Sequence, residues 1–172
     1  MQNIVICGDV GERKLTKTII KACEMNGGVM VCDGGKVYET CEEPRFFIVT
    51  DICEMSCRGI VVLGENVGKL KLSEDMTVII EGENVRGLEI LKEQGCKNVV
   101  TCSMNRRATL SMSGIYPEKV ASLQRGLKTL DGGVIEPCEF VIKSCGDEIY
   151  PIMAAGAVMI LSDGEVREKY CC

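Results

Sequence analysis

Histidine and tryptophan are absent from the 172 residues, and aromatic side chains make up only 4% of them. Without an imidazole, no serine or cysteine nucleophile has its usual base, so Ser-His and Cys-His mechanisms are excluded. Any zinc would have to be held by thiolates alone. With so few rings, the core must be assembled from Val, Ile, Leu, Met and Cys. Long basic runs are also missing. Lys and Arg number 20 against 25 Asp and Glu, a net charge of −5. Neither nucleic acid nor an anionic membrane surface is therefore expected as a partner, because both are held by clustered cations. No apolar run is long enough for a bilayer of about 30 Å. The longest, from Ile149 to Leu161, contains Pro151 and Gly156 and predicts a buried helix. No basic-then-apolar leader opens the sequence, which together with the cysteine usage predicts a cytoplasmic protein.

What the chain does have is cysteine, 12 residues in all. Several lie inside apolar strand-like runs, as Cys7, Cys32 and Cys102 do, where a thiol behaves as a small hydrophobe in a reducing compartment. Mostly free thiols are expected. Cys53 and Cys57 form a C-x₃-C pair with Cys41 upstream and Cys171-Cys172 at the end. Zinc or redox chemistry could use them, but no second tight pair stands at zinc-ribbon spacing. Arg13 near Cys53 or Cys7 would lower a thiol pKa.

At this length one domain is expected, residues 1–172, burying roughly two-thirds of its unfolded surface. Residues 3–7, 29–32, 46–51, 59–64, 76–81 and 98–102 are short apolar runs bounded by turn residues, the pattern of strands buried on both faces. Helical spacing covers about 14–26, closed by Gly27-Gly28, and 84–94, capped by Gly95. Strands alternating with helices predict an α/β fold: a mostly parallel sheet flanked by helices. After residue 104 the texture changes. Ala108 to Met112, Val120 to Leu127 and Val134 to Lys143 alternate apolar with polar residues around Asp131-Gly132-Gly133, predicting antiparallel strands in the C-terminal third. A last helix is expected from about Asp147 to Leu161, before a charged tail.

The most informative stretch joins the first strand to the first helix, Gly8-Asp9-Val10-Gly11-Glu12-Arg13-Lys14-Leu15-Thr16. Strand, glycine turn and helix start together make an anion site, since the first amides of a helix point at a ligand. A phosphate loop of the Walker A kind needs G-K-S/T after the turn, and here Gly11 is followed by Glu12. Two readings follow. Backbone N–H groups, with Lys14 and Thr16, bind a phosphate; or Asp9 or Glu12 caps the helix and satisfies those amides itself. Asp51, after the third strand, stands where a parallel sheet gathers ligands, either as a Mg²⁺-binding carboxylate or as a turn residue. Arg106-Arg107 is either a phosphate- or partner-binding pair or a solvated strand entry.

IVICGDVGERKLTKTII resembles the G-T-x-G-K-T/S-T loop that opens the central ATP-binding domain of the Mur ligase family. VIIEGENVRGLEILKEQGCKNVVTCSMN is similar to that family's strand and turn v-v-N-x-D-D, with Glu83 and Asn84 at the turn. EFVIKSCGDEIYPIMAAGAVMIL resembles the segment leading into its H-N-x-x-N-A-x-A-A helix, with Tyr150, Ala154 and Ala155 matching in character. The resemblance implies a P-loop-like fold. It also implies a ligand cleft touching Gly8, Asp9, Gly11, Arg13, Lys14, Thr16, Asp51 and Asn84. The departures are equally specific. Glu12 replaces the loop lysine, Leu63 to Gly68 lacks the Asp and His of T-N-x-x-x-D-H, and no histidine ligand exists. The expectation is a stand-alone relative with a degenerate phosphate loop, a non-catalytic binding or regulatory module with no cofactor. ATP with Mg²⁺, in a ligase-type or other phosphate-binding enzyme with a rebuilt loop, is the alternative. A cysteine-based metal or redox protein is the third reading. A protein partner, a second copy of the chain, or a nucleotide or other phosphorylated small molecule are the expected partners.

Overall fold

The structure is a computed structural model that describes residues 1–11, 13–52, 54, 58–116, 118–143 and 146–171. Gln2–Cys7 (β1), Val29–Asp33 (β2), Phe46–Thr50 (β4), Gly59–Leu63 (β5), Met76–Glu81 (β6) and Val99–Ser103 (β7) are the six apolar runs of the sequence. All six run parallel in one sheet, in the order β7-β6-β5-β1-β4-β2. Burial on both faces explains their near-continuous hydrophobicity. Ile4 to Cys7 and all of β5 are buried on either side.

Lys14–Met25 (α1) and Ile149–Asp163 (α3) cover one face and pack directly on each other. Beneath them lie Ile4, Ile6, Ile48, Ile60, Val62 and Ile79. Val85–Glu93 (α2) covers the other face, where Leu91 meets Val5, Val61, Val78 and Ile80. α3 is the predicted buried helix, with every residue from Pro151 to Ser162 buried. Pro151 sits in its first turn, where a missing N–H costs nothing. A Cβ on Gly156 would stand 2.7 Å from Ile142 Cδ1, so glycine is what lets α3 lie against the sheet. No helix among the described residues is long and apolar enough to cross a membrane.

The sheet continues past β7 through Leu110–Gly114 (β8), Lys119–Leu123 (β9) and Cys138–Lys143 (β12), with antiparallel β8-β9 and β9-β12 ladders as expected. Leu127–Lys128 (β10) and Val134–Ile135 (β11) pair as a separate hairpin around Asp131-Gly132-Gly133. The expected strand 134–143 is thus two strands, broken at Glu136-Pro137.

Two strands were not expected. Lys36–Glu39 (β3) and Lys169–Cys171 (β13) form the two edges of the 11-stranded sheet. β3 returns antiparallel to β2 through Gly34-Gly35, whose φ values of 54° and 79° suit a tight hairpin turn. α1 ends one residue earlier than its glycines suggest: Asn26 is the cap and its N–H donates to the Cys23 carbonyl.

Candidate functional site

A cavity of about 570 Å³ opens at the carboxyl ends of the neighbouring strands β1, β5 and β6. Its walls are the loop after β1, Gly64 to Asn66 after β5, and the first turns of α1 and α3. This is the edge at which a parallel sheet presents ligand sites. The loop can turn so sharply because Gly8 has φ 76° and sits against the Asn66 carbonyl, 2.8 Å from where a Cβ would be. Its own carbonyl accepts from the Asn66 N–H at 3.0 Å.

The loop is filled from within. Asp9 Oδ2 accepts from both the amide N and Oγ1 of Thr16, each at 2.6 Å. Arg13, the N-cap residue, makes no side-chain cap of its own. The Asp9 carboxylate therefore does for the N-terminus of α1 what a capping side chain or a bound anion would do. Of the two readings of the loop, this geometry is that of the self-capped turn.

The two nearby cations are each ion-paired, while Arg13 Nε and Nη2 are buried with no hydrogen-bond partner among the described residues. Arg13 adopts a left-handed backbone, φ 53°. Its Nη1 donates to Asp33 Oδ2 at 2.7 Å, and its Nη2 lies 3.9 Å from Asp51 Oδ2. Asp33 closes β2 and takes the Thr50 hydroxyl on its other oxygen at 2.6 Å. The Arg13 hydrogen bond, then that of Thr50, holds the Asp33 carboxyl below its usual range. Lys14 Nζ pairs with Glu148, the residue before α3, joining the starts of the two helices.

The cavity wall carries four carboxylates, Asp9, Glu65, Glu81 and Glu148, against Arg13 and Lys14. Partial burial, followed by Glu83 and Glu65, pushes the Glu81 carboxyl up. The Tyr150 hydroxyl donates to the Leu63 carbonyl at 2.5 Å, and burial raises its phenol well above its ordinary value. Tyr150 thus fastens the start of α3 to the end of β5. Cys7, at the end of β1, is buried and donates its thiol to the Ile52 carbonyl at 3.3 Å.

The expected site residues separate in space. Gly8, Asp9, Arg13 and Lys14 line the main cavity, and Thr16 is held just behind it by Asp9. Gly11 lies in the same turn with φ 77°. Asp51, left-handed at φ 58°, lines a separate hollow of about 220 Å³ on the other side of the loop. Asn84 is outside the cavity. It caps α2 by accepting from Gly87 N at 2.9 Å and donates to the Gly64 carbonyl at 3.0 Å. Arg106 and Arg107 are exposed and line none of these walls. Glu12, Cys53, Cys57 and Cys172 lie outside the described residues. Cys41 is exposed, and among the described residues no cluster of Cys, Asp and Glu could hold a metal ion. Asp33, Glu65, Glu81 and Glu148 escaped the sequence reading. For Asp33 and Glu81 a signal existed, since Glu81 ends a predicted strand and Asp33 directly follows one.

No family model matches the chain, and no curated protein matches it in sequence. Solved structures do resemble it. One is a UDP-N-acetylmuramoyl-L-alanyl-D-glutamate–2,6-diaminopimelate ligase, with a TM-score of 0.56 and 11% identity. Another is MurF from Acinetobacter baumannii, with 0.55 and 10%. Each alignment covers 95% of this chain and 43% of the other, so the chain spans less than half the length of these ligases. At such identity the likeness is one of fold.

Proposed function

We propose that this Mur-ligase-like domain is a non-catalytic binding or regulatory module whose phosphate loop is closed on itself. One observation carries the reading: the Asp9 carboxylate holds the Thr16 amide and hydroxyl that a nucleotide phosphate would need. An entering phosphate would have to displace those bonds and then face Glu65 and Glu81, with Arg13 and Lys14 already paired. Loss of the loop lysine at Glu12 and of every histidine supports the same reading. The cleft remains roomy enough for a small molecule, and its acidic wall disfavours anions.

A thermal-shift titration with Mg-ATP and Mg-ADP tests this. The proposal expects no rise in Tm. A ligand at about 100 times its Kd would stabilise the fold by roughly 2.7 kcal/mol, a shift of several degrees. Such a rise would instead favour an ATP-dependent enzyme with a rebuilt loop and make Lys14 and Thr16 the first residues to mutate.

A further inference from the structure

At the opposite edge of the sheet, the amino ends of β5, β6 and β7 meet the β10-β11 hairpin across a second cleft of about 360 Å³. With strands of five or six residues, it lies roughly 15 Å from the Asp9 loop along the strands. Arg58 and Lys128 stand on its rim. Neither side chain makes an ion pair or hydrogen bond among the described residues. Asp75 is the one carboxylate in the lining, and it lies within 4 Å of neither cation. Asp131, nearby, accepts from the Thr129 hydroxyl, which chiefly holds its carboxyl below the usual range, and the Arg58 guanidinium lowers it further from a distance.

Thr77 is only 5% exposed, yet its hydroxyl has no hydrogen-bond partner among the described residues and borders the cleft. Its Oγ1 opens onto the cleft rather than being sealed in the core, so it can donate to whatever occupies the cleft. The Asn98 side-chain amide, half-buried beside it, is likewise without a partner among the described residues. A guanidinium fork, an ammonium, a hydroxyl and an amide around one cleft make the donor set for a small tetrahedral oxyanion.

The geometry points to a phosphate-binding site here, for inorganic phosphate or the phosphate group of a small metabolite, with Arg58, Lys128, Thr77 and Asn98 as its donors. The site is distinct from the acidic cleft at the other edge. It places anion recognition on a surface that does not use the strand-to-helix loop.

Calorimetric titration of the full chain with inorganic phosphate, at constant ionic strength, tests it. The Arg58→Gln/Lys128→Gln double variant should weaken the Kd for phosphate about tenfold or more, the loss of one or two charge-assisted hydrogen bonds. Both side chains are exposed, so folding should be unaffected. Lys17→Gln/Lys21→Gln, which removes the same charge from the exposed side of α1, should leave the affinity unchanged. Thr77→Val, which keeps the buried shape, should weaken binding about fivefold. Glycerol 3-phosphate as a second titrant distinguishes a phosphorylated metabolite, if it binds more tightly than phosphate, from free phosphate, if it does not. Absence of saturable phosphate binding by the unmodified chain would overturn the assignment. So would equal losses in the two double variants.

Discussion

Oδ2 of Asp9 is shared between the amide and the hydroxyl of Thr16, at 2.6 Å to each. One carboxylate oxygen thus supplies the first turn of α1 with the cap that Arg13 does not give. Asp9→Ala should cost about 1–2 kcal/mol, the upper range for a lost helix cap. Asp9→Asn should cost less, because an amide oxygen can still accept. Urea unfolding curves of the three proteins measure the difference.

Arg13 and Asp33 make the second tie on this loop, 2.7 Å long and partly shielded from solvent. Asp33→Asn should destabilise by about 1 kcal/mol, between the values for exposed pairs and for charge-assisted bonds in the interior. The pH dependence has a definite sign. Asp33 has a lowered pKa in the fold, so its contribution is present above the ordinary carboxyl range and is lost as pH falls through the folded value. Stability of the unmodified chain and of Asp33→Asn should converge progressively as the buffer is taken below the ordinary carboxyl range, about 3.9.

Glu81 behaves in the opposite sense. Its carboxyl is raised by partial burial and by Glu83 and Glu65, so ionising it opposes folding. Glu81→Gln should raise Tm at neutral pH. The gain should vanish below about pH 4, where the unfolded carboxyl is itself protonated. A set of melting curves from about pH 4 to pH 8 reads this directly, and a Tm lowered at neutral pH would count against it.

The fold was legible where the physics is local. Runs such as Ile4 to Cys7 and Ile60 to Leu63 are apolar because they are buried on both faces, and they announced the parallel sheet. Residues Lys36–Glu39 were missed because all four are exposed on an edge strand, which carries no burial pattern. Lys169–Cys171 is three residues long and lay hidden in a charged tail. The Asp9 cap was within reach, being a contact between residues 9 and 16 of one turn. Lys14 with Glu148, Tyr150 with Leu63 and Arg13 with Asp33 were not, because distant segments meet only after the sheet has assembled. Asn84 drew notice through a family motif, yet its contacts are those of a helix cap.

Thiol reactivity offers a further check on the core. Cys7, Cys23 and Cys102 are buried, while Cys41 is exposed. Burial pushes the Cys102 thiol far up, with Glu81 adding to it. Under native conditions iodoacetamide should modify Cys41 before these three, which it should spare until the protein unfolds. Peptide mapping by mass spectrometry gives the order, and early labelling of Cys102 would mean that β7 is not packed beneath α3.

The proposal that the Gly8 to Thr16 turn is closed to phosphate is tested most directly by isothermal titration of the unmodified chain with Mg-ATP. The self-capped geometry predicts no saturable binding up to about 1 mM nucleotide, a free energy weaker than about −4 kcal/mol. Saturable binding at micromolar concentrations, lost in Lys14→Ala, would mean that the Asp9–Thr16 contact opens to admit a phosphate, and it would contradict the account.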